Sequence, residues 1–299
     1  MNPYEMMRKI RDGNGFIAAL DQSGGSTPKA LESYGIEEDA WSNEEEMFGL
    51  VHQMRSRIIT SPSFASGKVI GAILFERTMD SMVGGKPAPQ ALIDLGIVPF
   101  IKIDKGLEAE ENGVQRMKPI PGLDTLLDRA KRLGMFGTKE RSFIKLANSE
   151  GIAAVVRQQL DLARQVLANG LVPIIEPEVS IESPERGTAE RILLEEILAA
   201  LDRVPEDQQV MLKLTIPAEA GLFEPLVEHP RVLRVLALSG GFSRQEACLE
   251  LAKNRGMIAS FSRALLSDLR HDQSDAGFDR ALGTAIDEIY EASTEKAAV

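Results

Sequence analysis

The sequence predicts an α/β protein built as a closed eight-stranded parallel (β/α)8 TIM barrel, and three observations lead there. Eight short apolar runs rich in Val, Ile and Leu recur along the 299 residues. Each is followed by a segment of helical periodicity and a polar turn, the spacing of repeated βα units. The runs are continuously apolar instead of alternating, as parallel strands covered on both faces require. Barrels of this kind are routinely this long as one unit. No repeat, low-complexity tract or linker marks a boundary, so residues 1–299 are expected to form a single barrel domain.

In chain order, the strands are expected at Phe16 to Leu20, Val69 to Phe75, Val98 to Ile103, Met135 to Thr138, Val172 to Ile175, Val210 to Leu214, Val232 to Leu238 and Met257 to Phe261. Helices are expected between them at Asn43 to Ile59, Gly122 to Leu133, Ile152 to Asn169, Thr188 to Arg203 and Ser243 to Asn254. Ser243 followed by Glu246 has the pattern of a capping box, and Gly170 after Asn169 is a helix stop signal. Gly84 to Pro89 reads as a loop, and the small, polar tail from Glu291 to Val299 is expected to fray.

Composition excludes several classes of function. Hydrophobic residues make up 43% and charged residues 26%, ordinary values for a soluble globular chain, and no apolar run is long enough to span a bilayer. The N-terminus lacks an apolar signal core and Cys248 has no second cysteine to pair with, so a cytoplasmic protein is expected. A net charge of −11 argues against nucleic acid as a partner. The three histidines, His52, His229 and His271, do not share ligand spacing on one element, so no metal or other cofactor is expected. A homo-oligomer acting on a small-molecule substrate is the expectation.

In such barrels the chemistry sits at the C-terminal ends of the strands. Reading those positions in turn gives Asp21, Glu76 with Arg77, Lys102 with Asp104, Lys139 with Arg141, Glu176 with Glu178, Lys213, Ser239-Gly240-Gly241 and Arg263. Any one of these could be a solvated or salt-bridged strand end. Cations, carboxylates and a Gly-Gly turn converging on one mouth point instead to an anionic substrate.

Lys213 stands out because Val210-Met211-Leu212-Lys213-Leu214-Thr215 places an ammonium inside an apolar strand. Burial penalises the charge, and a lysine that gives up its proton is a nucleophile toward carbonyl carbon. A second cation, Lys139 on the fourth strand, would favour the free amine. Glu176 and Glu178 alternate on the fifth strand, so both can face one side and take separate acid-base and ion-pairing roles. Gly240 and Gly241 free backbone N–H groups to approach an anion beside Ser239, and Arg263 supplies a planar fork for phosphate oxygens. The loop after the first strand, with Ser23 and Ser26, could hold a second phosphate or serve as an ordinary capped turn.

Leu20-Asp21-Gln22-Ser23, Ile101-Lys102-Ile103-Asp104-Lys105-Gly106, Val172 to Glu178, Leu238-Ser239-Gly240-Gly241 and Ser262-Arg263-Ala264-Leu265 resemble, in order and over nearly the whole chain, the strand-end motifs of class I fructose-bisphosphate aldolase. The match is nearest to the family's shorter bacterial branch. The resemblance implies a metal-independent, reversible cleavage of fructose 1,6-bisphosphate to dihydroxyacetone phosphate and glyceraldehyde 3-phosphate. Lys213 would form the Schiff base and Glu176 would dehydrate the carbinolamine. Asp21 would take the proton of the carbon-4 hydroxyl, with Lys139 stabilising charge and Glu178 orienting Lys139. Ser239, Gly240 and Arg263 would hold the phosphate on carbon 1, and Ser23, Ser26, Lys102 and Arg141 the phosphate on carbon 6.

The chain also departs from the animal-type pattern. Gln22 stands where that pattern has Glu, Leu214-Thr215 replace Pro-Asn, and the chain ends without the tyrosine that assists proton exchange on the enamine. Two other readings remain open: another imine-forming barrel lyase or transaldolase acting on a sugar phosphate, and a non-catalytic phosphosugar-binding barrel.

Overall fold

A computed structural model describes residues 1–297, apart from the side chain of Ser26. Each expected apolar run contributes to a strand, although Met135 and Phe136 precede theirs and the eighth stops at Ala259: β1 (Phe16–Leu20), β2 (Val69–Leu74), β3 (Val98–Lys102), β4 (Gly137–Ile144), β5 (Val172–Val179), β6 (Val210–Thr215), β7 (Val232–Leu238) and β8 (Met257–Ala259). They pair in sequence order, each parallel to the next. Ala19 N donates to Phe261 O at 3.2 Å, joining β1 to the end of β8 and bringing the sheet round to a nearly closed (β/α)8 barrel.

Alternation along the strands explains how the lumen is filled. Phe100, Ile174, Met211 and Leu236 point inward and form one buried apolar cluster with Met6 and Ile10 of the helix Pro3–Asp12, which stoppers the N-terminal end of the barrel. Ile101, Ile175, Leu212 and Leu214 belong to the other cluster, between sheet and outer helices. Two residues beyond Phe100, Ile174 and Met211, on the same faces, come Lys102, Glu176 and Lys213. The lumen is thus dry and apolar below and charged above, and each buried apolar side chain of the lower layer contributes roughly 1.5–3 kcal/mol.

The outer helices lie close to their expected limits. Glu44–Thr60 is capped by Asn43, Ser149–Ala168 by Asn148, and Arg244–Ala252 by the Ser243/Glu246 capping box. Gly170 adopts φ 77°, the left-handed conformation that a helix stop uses. Ser26 is the first residue of the helix Ser26–Ser33, following Gly25 at its cap.

Three expectations need correction. β4 and β5 run on to Ile144 and Val179, because the charged residues that looked like strand ends remain in the ladder, with Arg141 in register with Glu176 and Phe143 with Glu178. The segment around Gly84-Gly85 is a small hairpin, Met82–Val83 against Lys86–Pro87, turned by two glycines at φ 57° and 79°. The tail does not fray at Glu291. A helix runs from Asp275 to Thr294, with Ala292 and Ser293 buried and Ser293 Oγ accepting a 3.0 Å bond from Ala259 N of β8. Small residues suit this close approach. Further on, Lys296 Nζ donates to the carbonyls of Leu251, Met257 and Ala292, while residues 298 and 299 lie outside the described ones.

Behind the lumen, the outward face of β4 carries Thr138, Glu140 and Ser142 toward the helix Ser149–Ala168. Glu140 is fully buried, and among the described residues its carboxyl has no cation or well-aligned donor beside it, only the Thr138 hydroxyl in reach. Gln159 of the helix reaches the Glu140 carbonyl, not its carboxyl. Burial first, then the Asp104 and Glu176 charges, push the Glu140 carboxyl well above the usual carboxylate range.

Candidate active site

Four of the predicted side chains meet at the C-terminal mouth. Lys139 Nζ lies 2.6 Å from Asp21 Oδ2 and 2.8 Å from Glu176 Oε2, and Lys213 Nζ lies 2.9 Å from Glu176 Oε1. All are nearly inaccessible to solvent, at 7% exposure for Asp21, 4% for Lys213 and 3% for both Lys139 and Glu176. They come from β4, β5, β6 and the residue after β1, so the barrel itself sets their spacing.

Burying four charges would be prohibitive if they were isolated. Here they alternate in sign. Burial raises the Asp21 carboxyl, but Lys139 and Lys213 outweigh it and hold the group well below the usual carboxylate range. Glu176 is lowered by the same two lysines against the same burial penalty. Lys139 is held well above the usual lysine value because Asp21, Glu176 and Asp104 together overcome its desolvation. Glu176 faces one lysine with each oxygen as an ion pair, so an anion stands between Lys139 and Lys213. The charge of Lys139 therefore reaches Lys213 offset by Glu176, unlike the bare cation that the sequence suggested.

Around this core lies a cavity of about 860 Å³ lined by Asp21, Lys102, Lys139, Arg141, Glu176 and Lys213, with Ser23, Glu178 and Arg263 also on its wall. Lys102 Nζ bonds Ser23 Oγ at 2.8 Å and Asp104 Oδ1 at 2.9 Å, so two of the groups predicted for one phosphate are joined. Glu178 pairs with Arg141 Nε instead of orienting Lys139, which Asp21 and Glu176 hold. Ser239 and Gly240 lie beside the cavity, not on its lining. There Gly240 adopts φ 62°, and a side-chain carbon at Gly241 would sit 3.8 Å from the Arg263 guanidinium, so the glycine turn and Arg263 are neighbours. Among the described residues no group of three or more His, Cys, Asp or Glu side chains is arranged to hold a metal ion.

Sequence reasoning missed several contributors. Asp104 was visible as a strand-end residue but was given no role, although it is buried and neutralises Lys102. Lys29 and Arg270 add positive charge to the cavity wall from helical and loop positions that strand-end reading does not sample. Gln22 donates from Nε2 to Ser262 Oγ at 2.6 Å, tying the loops after β1 and β8 together. Arg55, fully buried on the helix Glu44–Thr60, bonds the Gln22 carbonyl from behind. Its signal was a charged residue next to the apolar stripe Met47, Val51, Met54 and Ile58.

The family model for class-I fructose-bisphosphate aldolase matches residues 5–219. The chain belongs to the class-I fructose-bisphosphate aldolase family. The matched region takes in Asp21, Lys102, Lys139, Glu176 and Lys213. Among solved structures, the chain is similar to fructose-bisphosphate aldolase from Plasmodium falciparum, solved in complex with TRAP and a small-molecule inhibitor. The TM-score is 0.80 at 20% identity, over 99% of this chain and 96% of that one. It is also similar to a Corynebacterium glutamicum protein, with a TM-score of 0.55 at 14% identity over 98% and 92% of the two chains. These two likenesses support the barrel fold, while the family match makes the chain a lyase of the aldolase type. No helix among the described residues is long and apolar enough to cross a membrane.

Proposed function

We propose that this aldolase cleaves fructose 1,6-bisphosphate reversibly into dihydroxyacetone phosphate and glyceraldehyde 3-phosphate through an imine on Lys213. The observation that carries the reading is the Lys139–Glu176–Lys213 arrangement: a buried lysine shares one carboxylate with a second lysine on the floor of a cavity whose wall is cationic.

In this reading, Lys213 Nζ attacks the carbon-2 carbonyl, and a proton passes to the former carbonyl oxygen to give a carbinolamine. Glu176 is within hydrogen-bond reach of Nζ, so it first takes one proton from the Lys213 ammonium, freeing the amine to attack, and later returns that proton to the departing carbinolamine hydroxyl, releasing water and leaving a protonated imine. When the bond between carbons 3 and 4 breaks, its electron pair flows into the imine to form an enamine. Asp21 takes the proton of the carbon-4 hydroxyl, which becomes the aldehyde carbonyl. Lys139, bonded to both carboxylates, balances the charge as the proton moves. Protonation of the enamine at carbon 3 and hydrolysis of the imine release the second product. Splitting one hard cleavage into such steps is the benefit of covalent catalysis.

Arg263 beside the Gly240-Gly241 turn is assigned the phosphate on carbon 1, with Ser239. Lys102, Ser23, Ser26 and Arg141 are assigned the phosphate on carbon 6. The reading also carries a cytoplasmic setting and a homo-oligomer. The test is borohydride reduction with dihydroxyacetone phosphate followed by peptide mapping, with cleavage assayed in the presence of a chelator. A label on Lys213 and an unaffected rate are expected. A label on another lysine, chelator inhibition, or cleavage retained by Lys213→Met would overturn the assignment.

A further inference from the structure

Arg55 sits where the packing alone would place an apolar residue. It lies midway along the helix Glu44–Thr60, among Val51, Met54, Ile58 and Ile59, and is 1% exposed. Among the described residues no carboxylate lies within salt-bridge distance of it, although it feels the charge of Asp21. Burial lowers the guanidinium and the Asp21 carboxylate only partly offsets it, so the group ends at about 10. A buried guanidinium kept without a direct ion pair costs stability unless its hydrogen bonds are used.

Its bonds go to the active-site loops. Nη1 donates to Thr78 Oγ1 at 2.9 Å, in the turn after β2, and Nη2 donates to the Gln22 carbonyl. Gln22 lies between Asp21, which contacts Lys139, and Ser23, which contacts Lys102. Its side chain then reaches Ser262 Oγ, next to Arg263. One guanidinium therefore anchors the peptide that carries the proposed carbon-4 base, from the side opposite the substrate.

We propose that Arg55 is a positioning residue: its fork, held between Thr78 and the Gln22 carbonyl, fixes the loop after β1 so that Asp21 faces the bond to be cleaved. The inference rests on the function proposed above, and it makes a selective demand on the enzyme. Imine formation needs Lys213 and Glu176 and does not depend on Arg55, whereas cleavage needs Asp21 in place. Lysine at position 55 keeps the charge but cannot donate in a planar fork to two acceptors at once.

The experiment compares Arg55→Lys with the parent in two assays, cleavage of fructose 1,6-bisphosphate and borohydride trapping with dihydroxyacetone phosphate. Displacing a reacting group by about 1 Å costs on the order of 10²-fold in rate, so kcat is expected to fall by roughly that factor. KM should change by a smaller factor than kcat, because Ser23, the neighbour of Gln22 assigned to the carbon-6 phosphate, is also held by Lys102. Trapping at Lys213 should proceed at the parental rate. Parental kcat in the folded variant overturns the proposal, as does an equal fall in cleavage and trapping, which marks a diffuse structural role. If Arg55→Lys does not fold, Thr78→Val removes one anchor only. A several-fold loss of kcat with trapping intact supports the proposal, and parental kcat refutes it. A parent that forms no adduct at Lys213 instead sinks the aldolase mechanism itself, a result distinct from either.

Discussion

Replacing Glu140 with Gln is expected to stabilise the protein, and by an amount that grows with pH. The carboxyl is fully buried behind β4 with no cation paired to it, and burial keeps it protonated well above its ordinary value of 4.5. Once the pH exceeds 4.5, the unfolded chain releases this proton while the folded chain keeps it, so the parent loses stability as pH rises. The slope is about 1.4 kcal/mol per pH unit for as long as the folded carboxyl holds its proton. Between pH 5 and pH 7 the loss reaches up to about 2.7 kcal/mol. Glutamine has the same shape and no proton to lose. Its amide can still hydrogen-bond the Thr138 hydroxyl that lies beside the carboxyl. Urea denaturation of parent and Glu140→Gln at pH 5, 6 and 7 gives the difference directly. A difference that is flat or shrinks as pH rises would refute the reasoning, because the group would then be charged or solvated in the folded state.

Other substitutions probe the mouth and the sheet. Lys139→Met leaves Asp21 and Glu176 buried without their shared cation, a loss of roughly 3–5 kcal/mol at pH 7. Both carboxylates are depressed in the folded parent, so the stability they contribute is present above their ordinary values and fades in acid. The gap between parent and variant in urea should therefore narrow below about pH 4, and a gap independent of pH would contradict the pairing. Arg263→Ala should raise KM for the bisphosphate roughly 10–100-fold with a smaller change in kcat; an unchanged KM would remove it from the phosphate site. Gly137→Ala would place a carbon 2.1 Å from the Val172 carbonyl and 2.9 Å from the Phe100 ring. Overpacking of this kind costs about 1–3 kcal/mol, so a thermal midpoint equal to the parent's would show that β4 can shift to make room.

The barrel was legible because each strand is a continuous apolar run, and the rule of strand ends picks out Asp21, Lys139, Glu176 and Lys213 from the sequence. The same rule misjudged β4 and β5. In Lys139-Glu140-Arg141 and Glu176-Pro177-Glu178 it took charge as the end of a strand, whereas the neighbouring strand and the opposite charges keep the backbone extended to Ile144 and Val179. Ion-pair partners were less legible than positions. Which of Glu176 and Glu178 holds Lys139 depends on strand stagger, and stagger leaves no mark in a single sequence. Arg55 was hidden for a related reason: its purpose lies in a loop 33 residues away, reached across the fold. The C-terminal helix was underread because its small, polar residues look solvated, and only the nearness of β8 turns Ser293 into a packing and bonding residue.

The seam of the barrel bears on how the chain is made. β1 pairs along its length with β2 on one side, while on the other it meets the β8 segment through the Ala19 to Phe261 bond. The helix Asp275–Thr294 packs over β8 and also touches β1 and the turn Pro62–Ala65. A ribosome delivers β1 more than two hundred residues before β8 and this helix, so through that span of synthesis one edge of the first strand has no neighbour. The growing polypeptide must carry an open, sticky sheet until β8 and this helix emerge. Asp21, set at the tip of that first strand, gains its final surroundings only when the last turn of the barrel arrives.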